Sequence, residues 1–425
     1  MKLVQRLKRS SFARSFSVVF SGAALAQILA FALAPVLSRL YDPELFGLFG
    51  VFMSVGGTVG TIACLRYEQA IMLVEHDSEA VSLLNLSLKI ALAMAGLTTI
   101  GVAIAWYVAP ELLAGIETWL WIVGTFLLVS VSGGQVALQV YAARRKRFRF
   151  ISFALVARTL TTTVAQCLVS AWQTAGLVAG TLLGLVAGSL PFIGLLRDKP
   201  QPVAEQRSVR ELAREYADFP KYNAPRGLIN SLTQNAPVVI LALIAGPASA
   251  GAYTMTVRLL QRPLTVISGP LRQVFYQHSS ELYRTSPAAL NRLYRKTTLA
   301  LAAAALIPSL IVIAVGPWLF EIVLGAEWTE AGQQSQWLIL WLALLLVNVP
   351  AVVLTRVLRM EREMLGYDLG LLVFRLAAIG LGTWWAGPLI GVALYSLVGV
   401  VFNLFLIMWI DRKSQQLIPT TGGAA

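Results

Sequence analysis

From about residue 15 to about residue 410 the chain repeats one pattern: roughly 20 apolar residues, then a short polar break. A helix of about 20 residues, rising 1.5 Å at each, crosses the hydrocarbon core of a bilayer. Twelve stretches have that length, near 15–38, 45–65, 84–107, 118–141, 150–172, 174–196, 227–246, 250–273, 297–320, 333–355, 365–386 and 388–410. The breaks between them differ in charge. Counted alternately from the start, one set comprises the N-terminus (Lys2, Arg6, Lys8, Arg9, Arg14), "RYEQAIMLVEHD", "RRKRFR", the 197–226 loop, the segment 276–296, "RVLRMERE" and the tail with Arg412 and Lys413. The other set is "YDPELFG", "APELLAGIE", "WQTAG", "AGPASAG", "EIVLGAEWTEAG" and "WAGPLIG"; it holds no lysine, and Arg39 is the only arginine at its margin. Positive loops stay in the cytoplasm. The asymmetry therefore predicts both termini inside. The basic start could also be read as a signal peptide, but its apolar run continues to Arg39, which suits a span.

Composition agrees. Of 425 residues, 57% are hydrophobic and 13% charged, against about 25% charged in soluble domains, and mean hydropathy is +0.70. The chain reads as an all-α polytopic membrane protein. Its formal charge of +13 is accounted for by loop anchors. No basic motif of a nucleic-acid binder accompanies it, so no nucleic-acid partner is expected. Cys64 and Cys167 lie in different apolar stretches and read as small core residues. No Gly-Lys-Ser/Thr occurs, so there is no Walker A loop. His76 and His278 are the only histidines, too few for a metal cluster or a legible hydrolytic triad. No cofactor and no enzymatic activity are expected.

The 197–226 loop divides the spans six from six. This predicts an N-terminal bundle over 1–196, the loop itself, and a C-terminal bundle with a short tail over 227–425. Within the loop, "SVRELAREYADFPKY" follows Arg207 and sets Arg210 and Arg214 at helical spacing. It reads either as an amphipathic helix at the inner surface or as a solvated connector. The halves echo each other: "LSRLYDPELFGLFGVFMSV" and "LIAGPASAGAYTMTVRLL" are each a short turn opening the next helix. Six helices per repeat is even, so the repeats are parallel, and transporters built this way hold substrate between them.

The discordant residues are charges inside the spans. Arg158 lies in span five and Arg375 in span eleven. Arg258 and Arg262 sit at i, i+4 on one face of span eight, about 10 and 16 Å from its outer end. Arg272 returns to nearly the same face near the inner end. An arginine at bilayer depth costs about 2.5–3.5 kcal/mol and almost always faces the bundle interior or a wet cavity. Arginines exceed acids here; the nearest carboxylates are Glu68 and Asp368. An anionic ligand would offset that excess, and the guanidinium fork suits phosphate. Arg66, at the end of span two, and Arg272 read either as ligand contacts or as side chains snorkelling to the surface. Asn230 and Gln234 share a face of span seven and read either as ligand contacts or as interhelical hydrogen-bond partners.

"LSRLYDPELFGLFGVFMSV", "LRYEQAI", "QVFYQHSSELYR" and "GPWLFEIVLGAEWTEAG" resemble the Wzx-type polysaccharide or O-antigen flippases of the multidrug/oligosaccharidyl-lipid/polysaccharide exporter superfamily. The resemblance implies two six-helix bundles around a central cationic cavity. It implies a bacterial inner-membrane transporter that carries an undecaprenyl-diphosphate-linked oligosaccharide from the cytoplasmic to the periplasmic leaflet, amid membrane lipids and beside a polymerase and chain-length proteins. It implies proton or sodium coupling, although no sharp acidic coupling site is legible. Arg66, Glu68 and Arg272 are carried over as cavity residues. The expectation is that Arg158, Arg258, Arg262 and Arg375 receive the diphosphate while the two halves rock. The rivals are a polymerase or ligase on the same lipid, for which the outer loops are short, and a drug or cation exporter, for which acidic cavity residues would be expected.

Overall fold

The computed structural model describes residues 21–108, 110–113, 115–197 and 207–416. Lys2, Arg6, Lys8, Arg9 and Arg14 lie outside the described residues, as do the side chains of Arg262 and Pro270. Among the described residues every regular element is a helix: α1 (Ser21–Leu40), α2 (Pro43–Gly60), α3 (Asp77–Val108), α4 (Leu120–Arg144), α5 (Phe148–Leu168), α6 (Gln173–Ser189), α7 (Val209–Glu215), α8 (Ala224–Ala245), α9 (Pro247–Thr285), α10 (Pro287–Leu324), α11 (Thr329–Val347), α12 (Val349–Val357), α13 (Glu361–Ala386) and α14 (Pro388–Gln416). Ten described helices are long and apolar enough to cross a membrane, and α11 with α12, bent by 41°, makes an eleventh. The bend falls at Asn348, two residues before Pro350, which has no N–H to give. The expected span near 250–273 falls on α9. That helix is long enough, but Arg258, Gln261, Arg262 and Arg272 make it too polar to count by composition. Twelve expected spans thus become eleven at the helix richest in candidate cations.

The chain forms two compact units, Met1–Gly251 and Ala252–Ala425. In the first, α3 packs on α4, α5 on α6, and α8 on α2. One apolar core there includes Ala70, Ile71, Leu83, Leu84, Val129 and Leu212. In the second, α10 packs on α11, α13 on α14 and α11 on α14. Its core includes Phe275, Leu290, Tyr294, Leu354, Leu406 and Ile410. The first unit extends past the 197–226 loop because α8 lies along α2 and because two matched turns meet beyond it. Asp42 caps α2 by accepting from Leu45 N–H at 2.9 Å, with Pro43 at the first helical position. Pro43 and Gly47 stand at the same spacing as Pro247 and Gly251. All four belong to the first unit. A Cβ on Gly47 would lie 1.8 Å from the Pro247 carbonyl oxygen, and one on Gly251 would lie 1.7 Å from that of Pro43. Only glycine permits this reciprocal approach.

Two helix ends close in the same way. Two residues past the end of α4 comes Lys146, and two past the end of α12 comes Arg359, both in the left-handed region (φ 56° and 55°). Arg147 N–H reaches back to Ala142 O, and Met360 N–H to Thr355 O, each at 2.9 Å. This is the reach of a Schellman closure, with a basic residue where glycine is usual.

Candidate functional site

The chain leaves α2 through Leu65 and Arg66, both at positive φ (47° and 66°), and enters a 3-10 helix, Tyr67–Met72. Left-handed backbone costs a non-glycine residue about 1–2 kcal/mol. Surrounding contacts hold it. Arg144 donates to the carbonyls of Ile71, Val74 and Glu75 at 2.9, 2.7 and 3.1 Å and pairs with Asp77 at 3.1 Å; Arg145 pairs with the other Asp77 oxygen at 2.6 Å. Two arginines of "RRKRFR" thus staple the turn rather than serving as loop charges.

The turn aims Arg66 at α8. A Cβ on Gly227 would lie 2.6 Å from Arg66 Nη2, so the guanidinium rests where that glycine leaves α8 bare. One helical turn further come Asn230 and Ser231, then Gln234 and Asn235. Gln234 donates to Asn230 Oδ1 at 3.2 Å, and Asn235 donates to Ser231 Oγ at 3.1 Å. Ser231 Oγ lies 3.3 Å from Thr61 Oγ1, whose proton is committed to Gly57 O at 2.8 Å. Ser231 is therefore the donor. The structure thus brings Arg66, with Glu68 beside it, to the Gly227 gap of α8, while Asn230 and Gln234 lie exposed three and seven residues further along that helix. Arg66 is 22% exposed, and its ion partner is Glu68 at 3.9 Å, the loose end of a salt bridge. Among the described residues its guanidinium makes no hydrogen bond. Glu68 is buried, and its Oε2 has no hydrogen-bond partner. Burial pushes its carboxyl up from the ordinary 4.5, against its backbone bond and the Arg66 charge, which pull it down.

Arg158 stands apart from this cluster. It donates to Gln135 Oε1 on α4 at 3.0 Å, half-buried, and Gly188 of α6 packs on its Cβ. Its counterpart Arg375 requires a correction. It was expected in a wet passage; it is 1% exposed and closed in. Its Cζ lies 3.8 Å from the Trp341 ring centroid and 3.9 Å from that of Tyr395. Nε and Nη1 donate to Tyr395 O and Oη at 3.3 and 3.2 Å, and Gly399 closes the remaining side. Two π faces offset the charge in place of an anion. Arg258 is half-buried on α9 and is not without a partner. Arg262 lies on the same helix, its side chain outside the described residues. Arg272 is exposed and feels the like charge of Arg356. A groove of about 310 Å³ on α13 and α14, lined by Phe374, Leu394, Leu397, Val398, Val401 and Phe402, is wholly apolar and contains none of these residues.

The sequence reading missed Thr61, Ser231, Asn235 and Gly227. A signal existed for two of them: "NSLTQN" (230–235) carries two adjacent i, i+4 polar pairs, of which one was used. Gly227 gave none, because its role depends on another helix.

The chain is similar in fold to solved transporters. An inward-facing multidrug resistance MATE family transporter of the MOP superfamily superposes with TM-score 0.66 at 15% identity, covering 95% of this chain and 96% of that one. The lipid II flippase MurJ in an inward closed conformation gives TM-score 0.65 at 12% identity over 94% and 91%. A MOP superfamily transporter from Pyrococcus furiosus, described as having a binding pocket of reverse polarity, gives 0.63 at 13% over 96% and 95%. These likenesses establish the two-lobed, all-helical multi-pass fold. No curated protein matches in sequence. The family model for polysaccharide biosynthesis proteins matches residues 36–333, and the chain belongs to that family.

Proposed function

We propose that this protein is a flippase that moves an undecaprenyl-diphosphate-linked oligosaccharide from the cytoplasmic to the periplasmic leaflet of a bacterial inner membrane. No bond is made or broken; the two lobes alternate access. The observation that carries the reading is Arg66, a partly open guanidinium held against α8 whose ion partner among the described residues stands 3.9 Å away. A diphosphate oxygen brought to that guanidinium gains charge-assisted bonds that Glu68 does not fully supply. Asn230 and Gln234, exposed on the same face of α8, offer amides to sugar hydroxyls. In the second unit, Arg258 and Arg272 of α9 are further candidate cations for an anionic headgroup. Glu68 is the coupling group in this reading. Protonation removes its hold on Arg66 and frees the fork for the anion, which favours a proton over sodium as the coupling ion. The excess of cations is opposite to what a cation exporter needs.

The test is made in the source organism. Deletion should strand complete lipid-linked repeat units on the cytoplasmic side, and plasmid-borne wild type should restore surface polymer whereas Arg66→Ala at equal protein level should not. Single repeat units delivered outside in the deletion strain would identify a polymerase instead. Full polymer with Arg66→Ala would remove Arg66 from the substrate path.

A further inference from the structure

The 197–226 loop contains a docked element that the flippase reading does not use. Helix α7 opens with a capping box: Ser208 Oγ accepts from Glu211 N–H at 3.2 Å, and Glu211 accepts from Ser208 N–H at 2.7 Å. Its Leu212 is fully buried in the core that also holds Tyr67, Ala70 and Ile71. Arg207, just before the cap, forks onto the Glu79 carboxylate at the start of α3, with 2.5 and 2.7 Å contacts, and reaches Glu215 at 2.5 Å. Glu79 is 3% exposed; unpaired, it would be a buried charge. Tyr67, between Arg66 and Glu68, donates its hydroxyl to Ala213 O at 2.9 Å. The helix therefore grips the turn from two directions, through α3 and through Tyr67.

We propose that α7 is a clamp on the Arg66–Glu68 turn, making Arg207 and Tyr67 positioning residues for the anion contact. The left-handed Leu65–Arg66 backbone is strained, and strained turns persist only where neighbours over-determine them. Tyr67 fixes the turn at the residue between the two candidate groups. Arg207 fixes α7 against α3, so that the Ala213 carbonyl stands where the hydroxyl needs it. Releasing either end lets Arg66 leave Gly227 while the rest of the unit stays packed.

This inference rests on the role proposed for Arg66, and the experiment separates the two. Full-length protein carrying Cys167→Ser is purified in nanodiscs as the parent and with Tyr67→Phe, Arg207→Glu, Glu79→Arg, the Arg207→Glu/Glu79→Arg pair, or Arg66→Ala. Inorganic pyrophosphate affinity, maleimide labelling of Cys64 (buried two residues before Arg66) and the melting temperature are measured. The expected result is pyrophosphate binding weakened about tenfold, a change of about 1.4 kcal/mol, and faster Cys64 labelling in Tyr67→Phe and Arg207→Glu. The charge-swapped pair recovers both in part, since the carboxylate introduced at position 207 faces Glu215, and Tyr67→Phe melts as the parent does. Loss of binding in Arg66→Ala with unchanged binding and labelling in Tyr67→Phe and Arg207→Glu would overturn the clamp and leave the flippase reading standing. Unchanged binding in Arg66→Ala would remove that reading and the clamp with it.

Discussion

Gly227→Ala separates stability from function at the candidate site. The added Cβ would stand 2.6 Å from Arg66 Nη2, 3.0 Å from Nε and 3.2 Å from Cζ. Ordinary contact is about 3.5 Å or more, so the guanidinium must retreat by about 1 Å. It is the end of a flexible, partly exposed side chain, so the retreat strains no backbone. Alanine in place of glycine inside a helix is worth about 0.5–1 kcal/mol in the favourable direction. The variant should therefore melt at or above the parent temperature. A hydrogen bond to a charged group contributes about 1.5–3 kcal/mol, so losing the Arg66 contact lowers transport by roughly tenfold to a hundredfold. Gly96→Ala and Gly101→Ala on α3 are the controls, because nothing lies within 4 Å of a Cβ at either; they should leave transport unchanged. The assay is surface polymer per membrane-inserted protein, with the melting temperature of the purified protein beside it. Wild-type polymer in Gly227→Ala would refute the assignment of Arg66. A large fall in melting temperature would refute the claim that the clash is only with a movable side chain.

Arg375→Met should fold and transport nearly normally, since a packed apolar side chain can replace a buried charge at little net cost; Arg375→Ala should lose about 2–5 kcal/mol through the cavity left between Trp341 and Tyr395, and loss of transport in a well-folded Arg375→Met would return Arg375 to the substrate path. Glu68 carries a folded-state pKa above its ordinary 4.5, so its protonated form favours the fold at low pH, and that contribution fades as pH rises through the folded value. Wild type should thus lose stability relative to Glu68→Gln as pH climbs out of the ordinary carboxylate range and through the raised folded value; a parallel pair of melting curves would refute this. Gly251→Ala meets a backbone oxygen at 1.7 Å rather than a movable side chain, and should cost about 1–3 kcal/mol, read as a lower melting temperature and refuted by an unchanged one.

The all-helical class, the order of the helices and the number of spans to within one or two were legible in the sequence, because bilayer thickness imposes a length that a 20-residue window reports. The exception is α9, long enough to span but poor in composition, because Arg258, Gln261, Arg262 and Arg272 stand where hydropathy wants leucine. The direction of each arginine was not legible. It depends on which neighbouring helix leaves a gap, and the gaps are glycines distant in sequence: Gly227 for Arg66, Gly188 for Arg158, Gly399 for Arg375. Arg158 and Arg375 look equivalent along the chain. One meets a glutamine amide and the other two aromatic faces, a difference set by Gln135 on α4 and by Trp341 and Tyr395 on α11 and α14. The 197–226 loop could be read as a docked helix or a connector because its ion pairs, Arg207 with Glu79 above all, span 128 positions. Local spacing carries no trace of such a partner.

The central claim is that a diphosphate lipid crosses by way of Arg66. Purified protein in proteoliposomes, given a fluorescent undecaprenyl-diphosphate oligosaccharide in one leaflet, tests it most directly by quenching from the other side. The account predicts leaflet exchange with wild type, loss of it with Arg66→Ala, and no transfer of a cationic dye by either. Equal exchange with Arg66→Ala, or dye transfer without lipid exchange, would contradict it.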